Sequence, residues 1–344
     1  MPIIPKDVTT KGPPVSDGIQ RRQVLLALAV PALGAVEARA ASALKCSGAY
    51  GESVFHTQNL RTFVTQAVDL AHGALQIEVT ANSQLKPMTA VLPALSSGEL
   101  AFGEVVMSAY GSQYPLLSLD SLPFIVRGYE DAAVLWDSSR QLIGEEMLHH
   151  GIRVLYAVPW PGQGLFCRSP VNQLGDLKGQ RLRVYNDTTR RLAELSGAVA
   201  ATIEAADLPR AIDAGQVDAM LTSSPTGVDS QAWKSMKYFI DLRAWIPKNM
   251  VCVSDKVWQG LSADAQQALL GAAKEAETRG WQMSRVADEM AKKQLAEQKM
   301  QVLPPSAELR RTLDNLGEHF GREWSHKAGV GGTQALLAFY SRRQ

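Results

Sequence analysis

The sequence predicts an α/β fold in two lobes, and three observations predict it. Strand-length apolar runs alternate with helical patterns along most of the chain. One helix–glycine–strand unit occurs twice. A single helical pattern from Ser262 to about Met300 is longer than one lobe is wide.

The first forty residues stand apart from that pattern. Arg21-Arg22 precedes an apolar run, Val24 to Val36, broken by Pro31 and Gly34, and Ala38-Arg39-Ala40 supplies the small residues a signal peptidase requires. A charged start, a short apolar core and an A-x-A end read as a secretory leader over residues 1–40, with a periplasmic mature protein. A fusion scar followed by a buried strand or helix is the competing account. The run falls far short of the ~20 residues that span a bilayer. The arginine pair before Val24-Leu25-Leu26 also fits a twin-arginine signal, so both export routes stay open.

The leader takes five of the 35 basic and three of the 34 acidic residues, which leaves 30 against 31 and a net charge of −1. With no run of like charge, nucleic acid and anionic membrane surfaces are not expected partners, and no later apolar stretch is long enough to cross a membrane. Cys46, Cys167 and Cys252 are too few and too scattered for a disulfide framework, and no Cys/His cluster has metal-ligand spacing. Lys45 occupies the position where lipidation of Cys46 would need a small residue. All three cysteines are expected to pack as small hydrophobes, and neither a metal nor a cofactor is expected.

After a short strand at Leu44–Ser47, Leu60, Phe63, Val64, Ala67, Leu70 and Ala71 share one face of a helix over roughly His56 to His72, with Gly73 suited to its C-terminal cap. Strands are predicted at Gln76–Thr80, Leu100–Val106, Arg153–Val158, Leu165–Arg168, Arg181–Tyr185, Asp218–Thr222 and Met250–Val253. Helices separate most of them, so the sheets should be largely parallel and covered on both faces. The repeated unit runs from Leu92-Pro93 through Gly98 to Glu104, and from Leu208-Pro209 through Gly215 to Leu221. Chance would also produce two such copies. If they are related, each lobe offers a strand end to a shared cleft, where ligands of open α/β sheets bind. The long helix starts at the Ser262 cap, carries Asp264 in its first turn and is stopped by Pro304-Pro305. An a/d seam is not sustained through Lys274–Arg285, which favours a helix spanning two lobes over a coiled coil.

In Asp176-Leu177-Lys178-Gly179-Gln180-Arg181-Leu182-Arg183-Val184, Asp176 and Gly179 make a turn and Arg181 to Val184 a strand. Alternation puts Arg183 opposite the core-facing Leu182 and Val184. A guanidinium there is able to grip a carboxylate through two parallel hydrogen bonds, although an ordinary surface arginine fits the same pattern. Asn186, where the next helix opens, adds an amide donor beside a positive dipole end.

Over nearly the whole mature chain these residues resemble the DctP-type solute-binding subunits of tripartite ATP-independent periplasmic (TRAP) transporters. The resemblance covers Phe55-His56-Thr57-Gln58-Asn59, the strand from Gly98 to Glu104, Leu122-Pro123-Phe124, the D-L-K-G-x-x-x-R-V segment, Gly215-Gln216-Val217-Asp218-Ala219 and the long helix. It implies a two-lobed periplasmic-binding-protein fold with hinge strands and one long helix across both lobes. Lobe I is expected at 41–160 plus 250–289, and lobe II at 161–249 plus 290–344. The family's carboxylate-binding arginine falls on Arg183. Glu104 falls on a cleft-facing position, and Thr222 and Ser223 (with Ser224) fall where relatives place a polar ligand contact, in a loop whose register the sequence leaves open. His56 and Gln58, with Asn59, lie at the first helix start, as ligand contacts or as caps. Trp160 is expected either to wall the pocket or to pack at the hinge.

Two departures bear on the ligand. The sugar-acid branch carries a second arginine where this chain reads Pro161-Gly162-Gln163-Gly164, so Gln163 replaces a fixed charge. A phenylalanine of that branch corresponds to Ala205. The resemblance therefore implies a receptor for a small organic carboxylate, a 2-oxo or 2-hydroxy monocarboxylic acid with room for an aromatic tail. The chain is expected as a monomer that delivers its ligand to membrane permease subunits. A C4-dicarboxylate or sugar acid in the same role is the alternative. An exported enzyme or a sensor module are rivals of other classes. Against the enzyme, no G-x-S-x-G, H-E-x-x-H or phosphate-binding glycine loop occurs, and nothing in the sequence brings Glu104 and His56 together.

Overall fold

The computed structural model describes residues 43–343; the leader expected at 1–40 lies outside them. The first strands and helices are β1 (Leu44–Ser47), α1 (Phe55–Leu70), β2 (Ile77–Thr80), α2 (Met88–Ser97) and β3 (Phe102–Val106). Then come α3 (Tyr129–His149), β4 (Ile152–Pro159), β5 (Gly164–Cys167), β6 (Arg181–Val184), α4 (Asp187–Ser196) and β7 (Val199–Thr202). The chain continues through α5 (Leu208–Asp213), β8 (Ala219–Thr222), α6 (Ser224–Asp229), β9 (Tyr238–Ile240) and β10 (Lys248–Ser254). It ends with α7 (Asp255–Gly260), α8 (Ala263–Glu297), β11 (Gln301–Leu303) and α9 (Ala307–Arg342).

Two sheets organise these elements, in the orders β2-β1-β3-β10-β4 and β11-β9-β5-β8-β6-β7. They are mixed rather than largely parallel. β1, β2 and β3 run parallel, as do β6, β7 and β8, while β10 pairs antiparallel with β3 and β4, and β5 pairs antiparallel with β8 and β9. The antiparallel strands are those that carry the chain between the lobes. Every residue of β10 is buried, which fits strands covered on both faces.

Local sequence explains the boundaries. α1 begins one residue before the expected His56 and ends at Leu70, because His72 and Gly73 take left-handed conformations with φ of 47° and 92°. In both copies of the repeated unit the glycine turns the chain into the strand, with φ of 82° at Gly98 and 66° at Gly215. The Ser262 side chain accepts from Ala265 N–H at 3.2 Å, capping α8 as expected. That helix packs on α1 and β4 at one end and on α6 and β11 at the other, so it spans the two sheets. Its closest approach is at Gly280, where a Cβ would stand 2.4 Å from Val158 Cγ2.

The first lobe's core gathers Leu60, Phe63, Leu92, Leu95, Phe102, Val105 and Leu269, and the second's gathers Leu165, Leu182, Val184, Leu221 and Trp245. α9 shares its contacts between them. Leu309 and Leu313 join the second core, whereas Trp324, Ala335 and Phe339 pack with Leu119, Leu122 and Leu135.

Candidate functional site

β6 alternates as the sequence requires. Leu182 and Val184 are fully buried in the second lobe's core, and Arg183 turns to the other side, into a cavity between the lobes. The cavity has a volume of about 120 Å³. Its walls are Tyr50, Trp160 and Tyr185 with Met88, Val106, Ile203 and Ala205, and its polar groups come from Arg183, Glu204, Thr222, Ser223 and Thr226. A mostly apolar hollow with a few convergent polar groups is the usual form of a small-molecule site.

Arg183 is not a surface arginine. Only 4 % of it is exposed, its Nε–H donates to Ile203 O at 3.0 Å, and its guanidinium carbon lies 5.1 Å from the centroid of the Tyr185 ring. Among the described residues no carboxylate comes within ion-pair distance of it, and no protein group bonds its terminal nitrogens. Burial pulls its pKa below the ordinary arginine value, the signature of a charge removed from water without a counter-ion. An uncompensated buried cation is costly, so an anion that fits the cavity gains what the protein leaves unmet. With Nε engaged, the two terminal nitrogens form the fork that a carboxylate matches.

Five of the nine expected ligand residues line this cavity: Trp160, Gln163, Arg183, Thr222 and Ser223. Their roles differ. The Gln163 carboxamide is already engaged, donating to Pro161 O at 2.9 Å and accepting from Tyr185 O–H at 3.1 Å, so it orients the tyrosine beside Arg183 instead of supplying a free donor. The Trp160 indole N–H donates to Asn249 Oδ1 at 2.9 Å, which fixes the ring as a wall. Ser223 caps α6 by accepting from Thr226 N–H, while the Thr222 hydroxyl bonds no protein group. That settles the register of the loop: Thr222 ends β8 and Ser223 is the cap. Ser224 points away and donates to Asp288 on α8 at 2.6 Å.

The other four do not line the cavity. Asn186 caps α4, accepting from Thr189 N–H at 2.9 Å, and spends its amide donor on Ser108 Oγ at 3.0 Å. Gln58 is exposed and donates to Ser53 O. Glu104 and His56 are each 2 % exposed and face each other, with Nδ1 and Oε1 3.4 Å apart. The structure thus joins two residues that nothing in the sequence placed together. The His56 ring stacks behind Trp160, centroids 4.3 Å apart, so the indole separates this pair from the cavity. Burial outweighs the carboxylate and lowers the His56 pKa, which leaves the imidazole neutral at pH 7. The pair touches no space a substrate occupies, so it offers no proton transfer to a ligand.

Three lining residues were missed by sequence reasoning. Tyr185 stands two residues beyond Arg183, where alternation would have found it. Tyr50 and Glu204 follow the carboxyl ends of β1 and β7, the edge where ligands of such sheets bind. β7 itself, Val-Ala-Ala-Thr, is short and weakly β-forming and was not predicted.

Residues 49–323 match the model of a family described as bacterial extracellular solute-binding protein, family 7 (DctP). The chain belongs to that family. It is a solute receptor of the TRAP type, and the fold of its solved relatives agrees. The Bordetella pertussis extracytoplasmic solute receptor DctP7, which binds pyroglutamic acid, is 37 % identical with a TM-score of 0.85, covering 87 % of this chain and 100 % of its own. DctP6 of the same organism, which also binds pyroglutamic acid, is 32 % identical with a TM-score of 0.86, covering 88 % and 100 %. A solute-binding protein of Albidiferax ferrireducens is 25 % identical over 292 residues, 80 % of this chain and 83 % of that protein. Receptors of this family work outside the cytoplasm. Among the described residues of this one, no helix is long and apolar enough to cross a membrane.

Proposed function

We propose that this receptor captures a small cyclic monocarboxylate of the pyroglutamate class and hands it to a TRAP permease in the periplasm. The observation that carries the reading is the buried Arg183 guanidinium, which has no protein counter-ion and faces a cavity. Cavity size supports a compact ligand: a hollow of about 150 Å³ accommodates benzene, and this one is about 120 Å³. That supports a single small ring over a hexuronate or an aryl acid with a long tail. The likeness to DctP7 and DctP6 adds support for a lactam acid over the 2-oxo and 2-hydroxy acids that the sequence favoured. The carboxylate pairs with Arg183, Tyr50, Trp160 and Tyr185 enclose the ring, and Thr222 and Glu204 offer a hydroxyl donor and a carboxylate acceptor to an amide.

Binding works by lobe closure, and the ligand shifts that equilibrium through its higher affinity for the closed form. The lobes comprise 41–160 with 250–289 and 161–249 with 290–344, the end of α9 beyond Gly329 resting on the first lobe. The protein acts as a monomer and performs no chemistry on its ligand. Calorimetry against L-pyroglutamate, pyruvate, lactate, a benzoylformate-type aryl acid, succinate and glucuronate tests the reading. L-pyroglutamate should bind tightest and be recovered unchanged after denaturation; preferred binding of succinate or glucuronate, or turnover of the acid, overturns it.

A further inference from the structure

The pair behind the indole wall raises a question of charge. Glu104 Oε1 faces His56 Nδ1, no protein group bonds Oε2, and no protein group bonds His56 Nε2. A second proton on this imidazole would therefore sit on a buried nitrogen with no acceptor, and the ring is neutral. The other ionisable groups close to Glu104 do not offset its charge. Cys46, Tyr50 and Tyr156 are buried and held in their uncharged forms. The Arg279 guanidinium on α8 is bonded to Asn59 and Gln66. A full negative charge thus lies one side chain behind the cavity. Tyr50, on the cavity wall, is within electrostatic reach of both Glu104 and Arg183.

Glu204 adds a second carboxylate, on the wall itself. One guanidinium thus confronts two carboxylates. Glu204 is partly exposed and screened by solvent, whereas Glu104 is sealed at 2 % exposure and screened little. Arg183 is able to neutralise one ligand charge; a second would meet the uncompensated field of Glu104.

We propose that Glu104 is a specificity-determining residue that restricts the site to ligands of a single negative charge, acting through the Trp160 wall without touching the ligand. The inference rests on the carboxylate-binding reading above and adds how dianions are refused, by repulsion rather than by shape. It also gives the buried pair a reason to exist, since a carboxylate kept in the interior with one neutral partner is a cost to the fold.

The test is calorimetry at pH 7.5 with L-pyroglutamate, glutarate and the monoamide of glutarate, which matches glutarate in shape and carries one charge fewer. The wild-type receptor should bind the monoamide at least about thirtyfold more tightly than glutarate. In Glu104→Gln that preference should narrow about tenfold through tighter glutarate binding, with pyroglutamate moved by no more than about threefold. A merely structural role would weaken all three ligands in parallel and leave the ratio intact, and that result overturns the proposal. Equal binding of glutarate and its monoamide to the wild type overturns it without any variant. If neither pyroglutamate nor the monoamide binds, the carboxylate reading itself has failed, and the inference with it.

Discussion

Replacing Arg183 by methionine should weaken the ligand complex and at the same time leave the empty protein as stable as before, or more so. In the complex, truncating one partner of a buried charge pair costs about 2–5 kcal/mol, a rise in Kd of roughly 30- to 5,000-fold. In the free protein the terms differ. The Nε–H bond to Ile203 O is charge-assisted and contributes about 2 kcal/mol, and the contact over Tyr185 about 1 kcal/mol. Against these stands the penalty of a guanidinium that is 4 % exposed and unpaired, several kcal/mol even after relaxation. Methionine fills a similar volume without the charge. The difference between these terms is a gain of about 0–2 kcal/mol, a rise of up to a few degrees in the melting temperature of the ligand-free protein. Calorimetry with L-pyroglutamate and thermal melts without it read the two effects separately. A loss of affinity below about tenfold, ~1.4 kcal/mol, would refute the anchoring role. A fall of more than about 3 °C in the empty protein would show that the guanidinium is there to hold Ile203, not a ligand.

Further outcomes follow from other contacts. Trp160→Ala should raise the Kd more than about tenfold, while Trp160→Phe, which keeps a ring and loses the bond to Asn249, should stay within about tenfold of wild type; equal losses would show that the indole N–H, not the wall, matters. Asn59 donates to Ala276 O at 2.9 Å and accepts from Arg279, which ties α1 to α8, so Asn59→Ala should cost about 1–3 kcal/mol in urea unfolding. His56 has its pKa lowered in the folded state, so below about pH 6.5 the unfolded chain binds the proton more readily. Stability should therefore fall as pH drops from about 6.5 toward 5, and His56→Gln should flatten that slope in melts compared at pH 5 and 8.

Much of this was legible in the chain because periodicity reports which side of an element is buried. Alternation across Leu182, Arg183 and Val184 aimed Arg183 away from the core, and the Ser262 cap and Pro304-Pro305 bounded the long helix. What alternation does not report is the partner. Asn186 stood where an amide donor was wanted, yet its Oδ1 caps α4 and its Nδ2 reaches Ser108 across a separation of 78 residues. Glu104 was rightly assigned to the cleft edge of its strand, and its meeting with His56 depends on how α1 packs on the first sheet, a tertiary fact with no local signature. β7, β9 and β11 were missed because each is only three or four residues long and the sheet, not propensity, imposes their conformation.

The segment that follows β3 touches the start of α4 through small polar side chains alone: Asn186 Nδ2 on Ser108 Oγ, Ser112 Oγ on the Asp187 carboxylate at 2.7 Å, and Thr188 Oγ1 on Ser121 O at 3.1 Å. Each such bond is worth about 1 kcal/mol once water competes for its partners. Without a greasy seam there, a shut receptor has no deep well of its own, and its dwell time is governed by the guest. A good fit lingers through the search for a membrane partner; a poor one is let go within a few openings. Selectivity on this surface is thus exercised in time as well as in affinity, and the fastening is light enough for a docked permease to prise apart.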